Sequence, residues 1–130
     1  MKGRILYIED NEQNLYLITY LLGAMGYRVI QARNGEEGIV LAEREIPDLV
    51  LLDIQLPGMD GYEIARRLRS LPQGHRIPIV AVTSYAMVGD KEKALAAGCD
   101  GYIEKPIDPG TFLTQMEAHL PKPDQPGGRT

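Results

Sequence analysis

Three short segments of the chain are apolar at nearly every position, and polar residues follow each of them. The segments are residues 5–8, 49–52 and 79–82. Continuous apolar runs of this length are typical of parallel strands that are covered on both faces. They are therefore predicted to be the central strands of a parallel sheet. Residues 28–32 and 101–104 are more polar, which indicates strands at the two edges.

Helical patterns of apolar residues separate these strands. The spacing of three or four residues appears in one group at Leu15, Ile18, Leu22 and Met25, in another at Ile64 and Leu68, and in a last one at Phe112 or Leu113 with Met116 and Leu120. Strand and helix alternate five times. This order predicts an α/β fold, a doubly wound five-stranded parallel sheet with strand order 2-1-3-4-5, which is the flavodoxin-like (βα)5 arrangement.

Local signals for helix ends agree with this division. The predicted helix starts are Asn34 with Glu37, Asp60 with Glu63, and Asp108 before Pro109. Gly26 and Gly98 are placed where helices can end.

The length of 130 residues suits one domain, predicted over residues 1–120. Residues 121–130 have no apolar periodicity and are predicted to be a disordered tail or a linker stub.

Composition narrows the classes of partner. The formal net charge is −4 and the basic residues are scattered, which argues against direct nucleic-acid binding and against binding to an anionic membrane. The apolar runs are far shorter than the ~20 residues that a membrane span needs, and the first residues lead into no signal-peptide core. A cytoplasmic protein is expected. The single cysteine, Cys99, is expected to be a small packed residue, and no role is predicted for His75 or His119.

Five polar side chains follow or end the predicted strands. Glu9 and Asp10 follow the first strand, Asp53 ends the third, Thr83 ends the fourth and Lys105 follows the fifth. In this topology ligands bind beyond the carboxyl ends of the strands, at the crevice where the winding reverses. Helix capping is the alternative interpretation of Asp10. It does not account for Asp53, and only the joint placement distinguishes Thr83 and Lys105 from an ordinary strand residue and a solvated charge.

The three carboxylates predict a metal site. Carboxylates this close repel one another unless a cation lies between them, and an all-oxygen ligand set favours Mg²⁺. A backbone carbonyl near Gln55 could complete the set. A carboxylate can itself attack phosphorus, and such a transfer needs neutralisation of the phosphoryl oxygens more than a general base. Asp53 is predicted to be this nucleophile, with Mg²⁺, Lys105 and the Thr83 hydroxyl supplying the neutralisation.

At these residues the chain closely resembles the response-regulator receiver family of two-component signalling. The matching segments are residues 7–11 (YIEDN), 51–61 (LLDIQLPGMDG), 82–84 (VTS) and 102–106 (YIEKP). They are in family order and spacing, and the resemblance spans residues 2–120. Residues 86–90 and 98–99 resemble single-domain regulators of the DivK type and the receivers of hybrid kinases.

The resemblance implies roles for individual residues. Glu9, Asp10 and Asp53 would bind Mg²⁺, Asp53 would be the phospho-acceptor, Thr83 the switch hydroxyl and Lys105 the phosphate partner. The same resemblance implies that Tyr102 is the switch aromatic, although an edge-strand tyrosine with an exposed hydroxyl is the simpler interpretation from sequence. It also implies a cis peptide between Lys105 and Pro106.

The implied partners are a sensor histidine kinase or histidine phosphotransfer protein and a downstream protein effector. The chain is expected to be a phospho-acceptor switch rather than an enzyme, with self-phosphorylation and self-dephosphorylation as its only chemistry. The alternative is an aspartyl-phosphate phosphatase of the haloacid-dehalogenase type. It would require an Asp-x-Asp motif after the first strand, which residues 9–12 lack, and it would also require a cap domain to enclose a substrate. A flavodoxin-like nucleotide binder would not place acidic residues in its phosphate loop.

Overall fold

A computed structural model describes residues 2–56, 58, 60–72, 77–83, 88–105 and 108–120. Strands and helices alternate along the chain in the order β1 (Gly3–Ile8), α1 (Glu12–Ala24), β2 (Tyr27–Ala32), α2 (Gly35–Glu45), β3 (Leu49–Asp53), α3 (Gly61–Arg69), β4 (Ile79–Thr83), α4 (Asp90–Ala96), β5 (Gly101–Glu104) and α5 (Pro109–Glu117).

The five strands form one parallel sheet in the order β2-β1-β3-β4-β5, so the predicted topology is confirmed. Ile8 at the end of β1 lies beside Leu52, and Asp53 at the end of β3 lies beside Val82. The carboxyl ends of the three central strands therefore coincide. Polar residues that end or follow these strands must share one edge of the sheet.

Helices cover both faces of the sheet. One core joins strand residues such as Ile5 and Leu51 to α1 and α5, and the other joins Leu6 and Leu52 to α2, α3 and α4. Because alternate strand residues point to opposite faces, strands covered on both sides need an apolar residue at every position. β3 and β4 are buried throughout, whereas β2 and β5 are partly exposed, as predicted for edges.

The predicted helix starts are confirmed. The carboxylate or amide oxygen of Asn34, Asp60 and Asp108 accepts a hydrogen bond from a backbone N–H in the first turn that follows it. Asp10 does not cap helix α1. The cap is Asn11, whose Oδ1 accepts a hydrogen bond from the Asn14 N–H at 2.9 Å. The capping interpretation of Asp10 is therefore wrong.

The predicted helix ends are also found. Gly26 and Gly98 have φ of 97° and 111°, a left-handed conformation that glycine adopts without strain. Met25 was expected on the buried face of α1, but it lies past the end of the helix and is 40% exposed.

Several residues without a predicted role have ordinary structural positions. Cys99 is packed in the core, where burial raises the pKa of its thiol to about 11. His119 is half-buried against Gly101, and His75 lies outside the described residues. The predicted tail, residues 121–130, also lies outside them. Among the described residues, no helix is long and apolar enough to cross a membrane.

Candidate functional site

The carboxyl edge of the sheet brings three carboxylates together. One oxygen each from Glu9, Asp10 and Asp53 lies within 4.8 Å of the others. The strand register causes this proximity. Ile8 of β1 and Leu52 of β3 are register partners, and each is followed by an acid, Glu9 or Asp53, so these two carboxylates lie close together. The structure therefore assembles the acidic group that the sequence predicted.

Glu9 is almost completely buried, with 1% of its surface exposed, and both of its oxygens are hydrogen-bonded. Oε1 accepts from the Tyr7 hydroxyl at 2.9 Å and from the Lys105 ammonium at 2.8 Å, and Oε2 accepts from the Asn11 N–H at 3.2 Å. Burial alone would raise the pKa of Glu9, but the hydrogen bonds, above all the one from Lys105, lower it overall. Glu9 is thus held as a carboxylate.

Asp53 is buried beside Glu9 but receives less compensation. Its Oδ1 accepts from the Gln55 N–H at 2.9 Å, and its Oδ2 lies 3.7 Å from the Lys105 Nζ. Burial and the neighbouring Glu9 raise the pKa of Asp53 to about 6, against the opposing effects of the Gln55 N–H and of Lys105. The ionised form of Asp53 is therefore the least favourable charge in the group, and a further cation would stabilise it.

Asp10 differs from its two neighbours because it is exposed. Its side chain forms no hydrogen bond or ion pair with any part of the chain that the structure describes. Its carboxylate is consequently available for a ligand from solvent.

Lys105 and Thr83 lie on the same edge. The Lys105 N–H donates to the Thr83 carbonyl at 2.7 Å, which extends the pairing of β4 and β5 by one residue. Thr83 is fully buried and comes directly after Val82, the register partner of Asp53. The Lys105 side chain is only 11% exposed and reaches both Glu9 and Asp53. Pro106 lies outside the described residues, so the cis peptide stays a prediction.

Tyr102 lies one strand further out, on β5, with its ring partly buried against the core on the α2–α3–α4 face. Its hydroxyl oxygen is buried and has no hydrogen-bond partner within the described ranges. Burial raises the pKa of this phenol. The simpler interpretation from sequence, a tyrosine with an exposed hydroxyl, is therefore wrong. A groove of about 500 Å³ opens beside Tyr102, between α4, β5 and α5, with Lys91, Glu104 and Phe112 in its wall.

One residue of the site was not found from sequence. Tyr7 was treated as part of an apolar strand, yet its hydroxyl donates to Glu9. The available signal was the spacing of two, because strand residues i and i+2 project from the same face. A buried tyrosine two residues before a buried acid is thus placed to bond it.

The donor set of the site suits a hard divalent cation. Three carboxylates face one ammonium, so negative charge is in excess, and every candidate ligand atom is oxygen. Mg²⁺ prefers oxygen ligands and keeps several waters in its coordination shell. The side chains of Glu9, Asp10 and Asp53 therefore fit this ion. For Gln55, the described geometry shows only that its N–H donates to Asp53, and its carbonyl as a ligand stays a prediction.

Comparison with known proteins points to one family. The family model for the response regulator receiver domain matches residues 5–117. The polar-differentiation response regulator DivK of Brucella anthropi is 41% identical over 120 residues, which cover 92% of this chain and 98% of the relative. DivK of Brucella ovis is 40% identical over the same shares of both chains.

A solved structure agrees with these relatives. The receiver domain of sensor histidine kinase PA1611 from Pseudomonas aeruginosa PAO1, with a magnesium ion coordinated in its active site cleft, superimposes with a TM-score of 0.84 at 35% identity. The match covers 92% of this chain and 98% of that one. With its fold, its acidic edge and these matches, the chain belongs to the response regulator receiver domain family.

Proposed function

We propose that this receiver domain takes a phosphoryl group onto Asp53 from the phosphohistidine of a sensor histidine kinase or a histidine phosphotransfer protein. The observation that carries the proposal is the buried Asp53 carboxylate, which lies between two further acids and the ammonium of Lys105. In the transfer, an Asp53 oxygen forms a bond to phosphorus while the bond from phosphorus to the donor's histidine nitrogen breaks. The electron pair of the broken bond stays on that nitrogen.

The reaction is proposed to depend on Mg²⁺ as cofactor. Glu9, Asp10 and Asp53 would hold the ion, with the backbone carbonyl of Gln55 as a further ligand. When bound, Mg²⁺ supplies charge neutralisation for the carboxylates and for a phosphoryl oxygen. The magnesium ion in the cleft of the PA1611 receiver domain supports this assignment.

Two side chains of the edge are proposed to stabilise the phosphoryl group. The Lys105 ammonium is 3.7 Å from Asp53 Oδ2, close enough to pair with a phosphoryl oxygen once one is bound there. Thr83 ends the neighbouring strand, β4, and its hydroxyl would donate a hydrogen bond after moving toward the phosphoryl group. These roles require electrostatic stabilisation and no general base.

The output is proposed to pass through the face formed by α4, β5 and α5. Movement of Thr83 toward Asp53 would vacate space that Tyr102 can enter, and the groove beside Tyr102 would change shape. The buried hydroxyl of Tyr102 supports this proposal, because within the described residues nothing holds it in place by a hydrogen bond. Phosphorylation would shift a balance between two states, and a downstream protein effector would read the result.

Turnover of a substrate is not part of the proposed function, which is a cytoplasmic phosphoprotein switch that modifies only itself. The alternative, a haloacid-dehalogenase phosphatase, requires an Asp-x-Asp motif after the first strand, whereas residues 9–12 read Glu-Asp-Asn-Glu. Hydrolysis of para-nitrophenyl phosphate with repeated turnover would favour that alternative.

Intact mass spectrometry tests the phospho-acceptor. The protein is incubated with Mg²⁺ and acetyl phosphate, a donor that needs no kinase surface, and one phosphoryl adduct is expected. Asp53→Asn should lose the adduct. Asp60→Asn is the matched control, because it makes the same chemical change at the exposed cap of α3, and it should keep the adduct. An adduct that persists in Asp53→Asn would refute the assignment.

A second experiment tests the output face. Beryllofluoride imitates the phosphoryl group, so nuclear magnetic resonance shifts are expected both at the acidic edge and around Ala94, Tyr102 and Phe112. Shifts confined to the acidic edge would leave the phospho-acceptor in place but reject the α4–β5–α5 switch.

A further inference from the structure

We propose that Tyr7 is a positioning residue that holds the metal ligand Glu9. Its side chain is 1% exposed, and its hydroxyl donates to Glu9 Oε1 at 2.9 Å in a buried contact. The inference rests on the proposed function, because it assigns to Glu9 the role of a metal ligand.

The sheet and the core hold Tyr7 in a fixed position. Tyr7 lies in β1, the strand between β2 and β3, with Gln31 and Leu51 as its register partners. Its ring belongs to the core on the α1–α5 face. Because a packed aromatic ring on a central strand has little rotational freedom, its hydroxyl is a donor at a fixed position.

Lys105, the other side-chain donor to Glu9 among the described residues, has a competing partner. The Lys105 ammonium lies 2.8 Å from Glu9 Oε1 and 3.7 Å from Asp53 Oδ2. When Lys105 turns to a phosphoryl group on Asp53, Glu9 loses its charged donor while it remains buried. Tyr7 then retains its hydrogen bond to Glu9, so the carboxylate keeps its orientation as a ligand, and the neutral hydroxyl adds no charge that would repel the cation.

The contact also selects one orientation of the Glu9 carboxylate. Glutamate has one more rotatable bond than aspartate, so a buried glutamate ligand loses more freedom when it binds a metal. Tyr7 on Oε1 and the Asn11 N–H on Oε2 restrict that freedom before the ion arrives. Hydrogen bonds behind a ligand commonly change metal affinity by about 10–100-fold. For one neutral donor among several, we expect about three- to tenfold.

The test is the Mg²⁺ affinity of Tyr7→Phe, measured from the shift of the Asn11 amide resonance during titration. Phenylalanine keeps the ring and removes only the hydroxyl. We expect Mg²⁺ to bind about three- to tenfold more weakly than to the unaltered protein. Tyr27→Phe is the matched control, since the Tyr27 hydroxyl donates to Glu117 at the far end of the sheet. Its Mg²⁺ affinity should stay unchanged.

A second variant shows whether Tyr7 acts through Glu9. Glu9→Asp keeps a carboxylate ligand but withdraws it by roughly 1.5 Å, the length of one carbon–carbon bond, out of reach of the Tyr7 hydroxyl. In that background, Tyr7→Phe should have no further effect on Mg²⁺ affinity. An equal loss in both backgrounds would overturn the proposal, because the hydroxyl would then act through general packing.

Three further outcomes are distinguishable from these. Unchanged Mg²⁺ affinity in Tyr7→Phe overturns the role of Tyr7 and leaves the metal site intact. Absence of Mg²⁺ binding in the unaltered protein overturns the metal site itself and the role of Tyr7 with it. A collapsed amide spectrum of metal-free Tyr7→Phe would also overturn the proposal, since the hydroxyl would then be needed for folding.

Discussion

Replacing Asp53 with asparagine should stabilise the metal-free protein, although it removes the proposed phospho-acceptor. Asp53 is 5% exposed and lies beside the buried Glu9 carboxylate. Asparagine keeps the shape of the side chain and an oxygen that can accept the Gln55 N–H. It removes the negative charge that the site holds least well.

The magnitude follows from the pKa of Asp53. Burial and Glu9 raise it to about 6 from an ordinary value of 3.8. A rise of about two units makes the ionised form less favourable by about 3 kcal/mol. Asparagine also forgoes the contact of Asp53 with Lys105, and the lowered pKa of Glu9 offsets part of the penalty. The expected net gain is therefore about 1–2 kcal/mol, which corresponds to about 3–8 °C in Tm.

Thermal unfolding in EDTA at pH 7.5 measures this gain. Mg²⁺ at matched ionic strength should raise the Tm of the unaltered protein, because an ion bound only by the folded state stabilises it by mass action. The rise should be much smaller in Asp53→Asn. Asp60→Asn is the control, since asparagine caps a helix as well as aspartate does, and its Tm should match the unaltered protein. A lower Tm for Asp53→Asn in EDTA would refute the argument that this carboxylate is destabilising.

Three further results are expected. The pKa of Asp53 is higher in the folded than in the unfolded state, so its charge does not destabilise the fold below about pH 4 and destabilises it fully above about pH 6. The gain in free energy of unfolding from Asp53→Asn, measured with denaturant, should therefore vanish near pH 4, and a gain that is constant with pH would contradict this. Gly61→Ala should destabilise the protein by about 1–3 kcal/mol, because the added Cβ would lie 2.4 Å from the Ile54 Cα, whereas Gly23→Ala, where the added Cβ meets open space, should stabilise it by about 0.5–1 kcal/mol. Equal unfolding midpoints in urea would show that the backbone at Gly61 moves freely to accommodate the Cβ. Lys105→Met should lower the free energy of unfolding of the metal-free protein by about 2–4 kcal/mol, because it leaves a buried carboxylate without its cation. Arg66→Met, at a half-exposed ion pair, should lower it by less than about 0.5 kcal/mol, and similar losses would mean that the Lys105 ion pair is no stronger than a surface pair.

Much of the fold follows from local pattern. Continuous apolar runs at 49–52 and 79–82 predict strands covered on both faces, and the more polar 28–32 and 101–104 predict the edges. Once the order of strands is known, residues at their carboxyl ends must meet. The grouping of Glu9 and Asp53 was therefore available from sequence, because strand alternation and topology are sufficient to place them.

Tertiary structure alone decided how these residues interact. The ion pair of Glu9 with Lys105 joins positions 96 residues apart, and the raised pKa of Asp53 depends on its burial and on the neighbouring Glu9. The hydroxyl of Tyr7 bonds an acid, and that of Tyr102 is buried, although both residues resemble ordinary strand positions in the sequence. Pattern along a chain reports which face a side chain occupies. Hydrogen-bond partners and desolvation depend on atoms that only folding brings within a few ångströms.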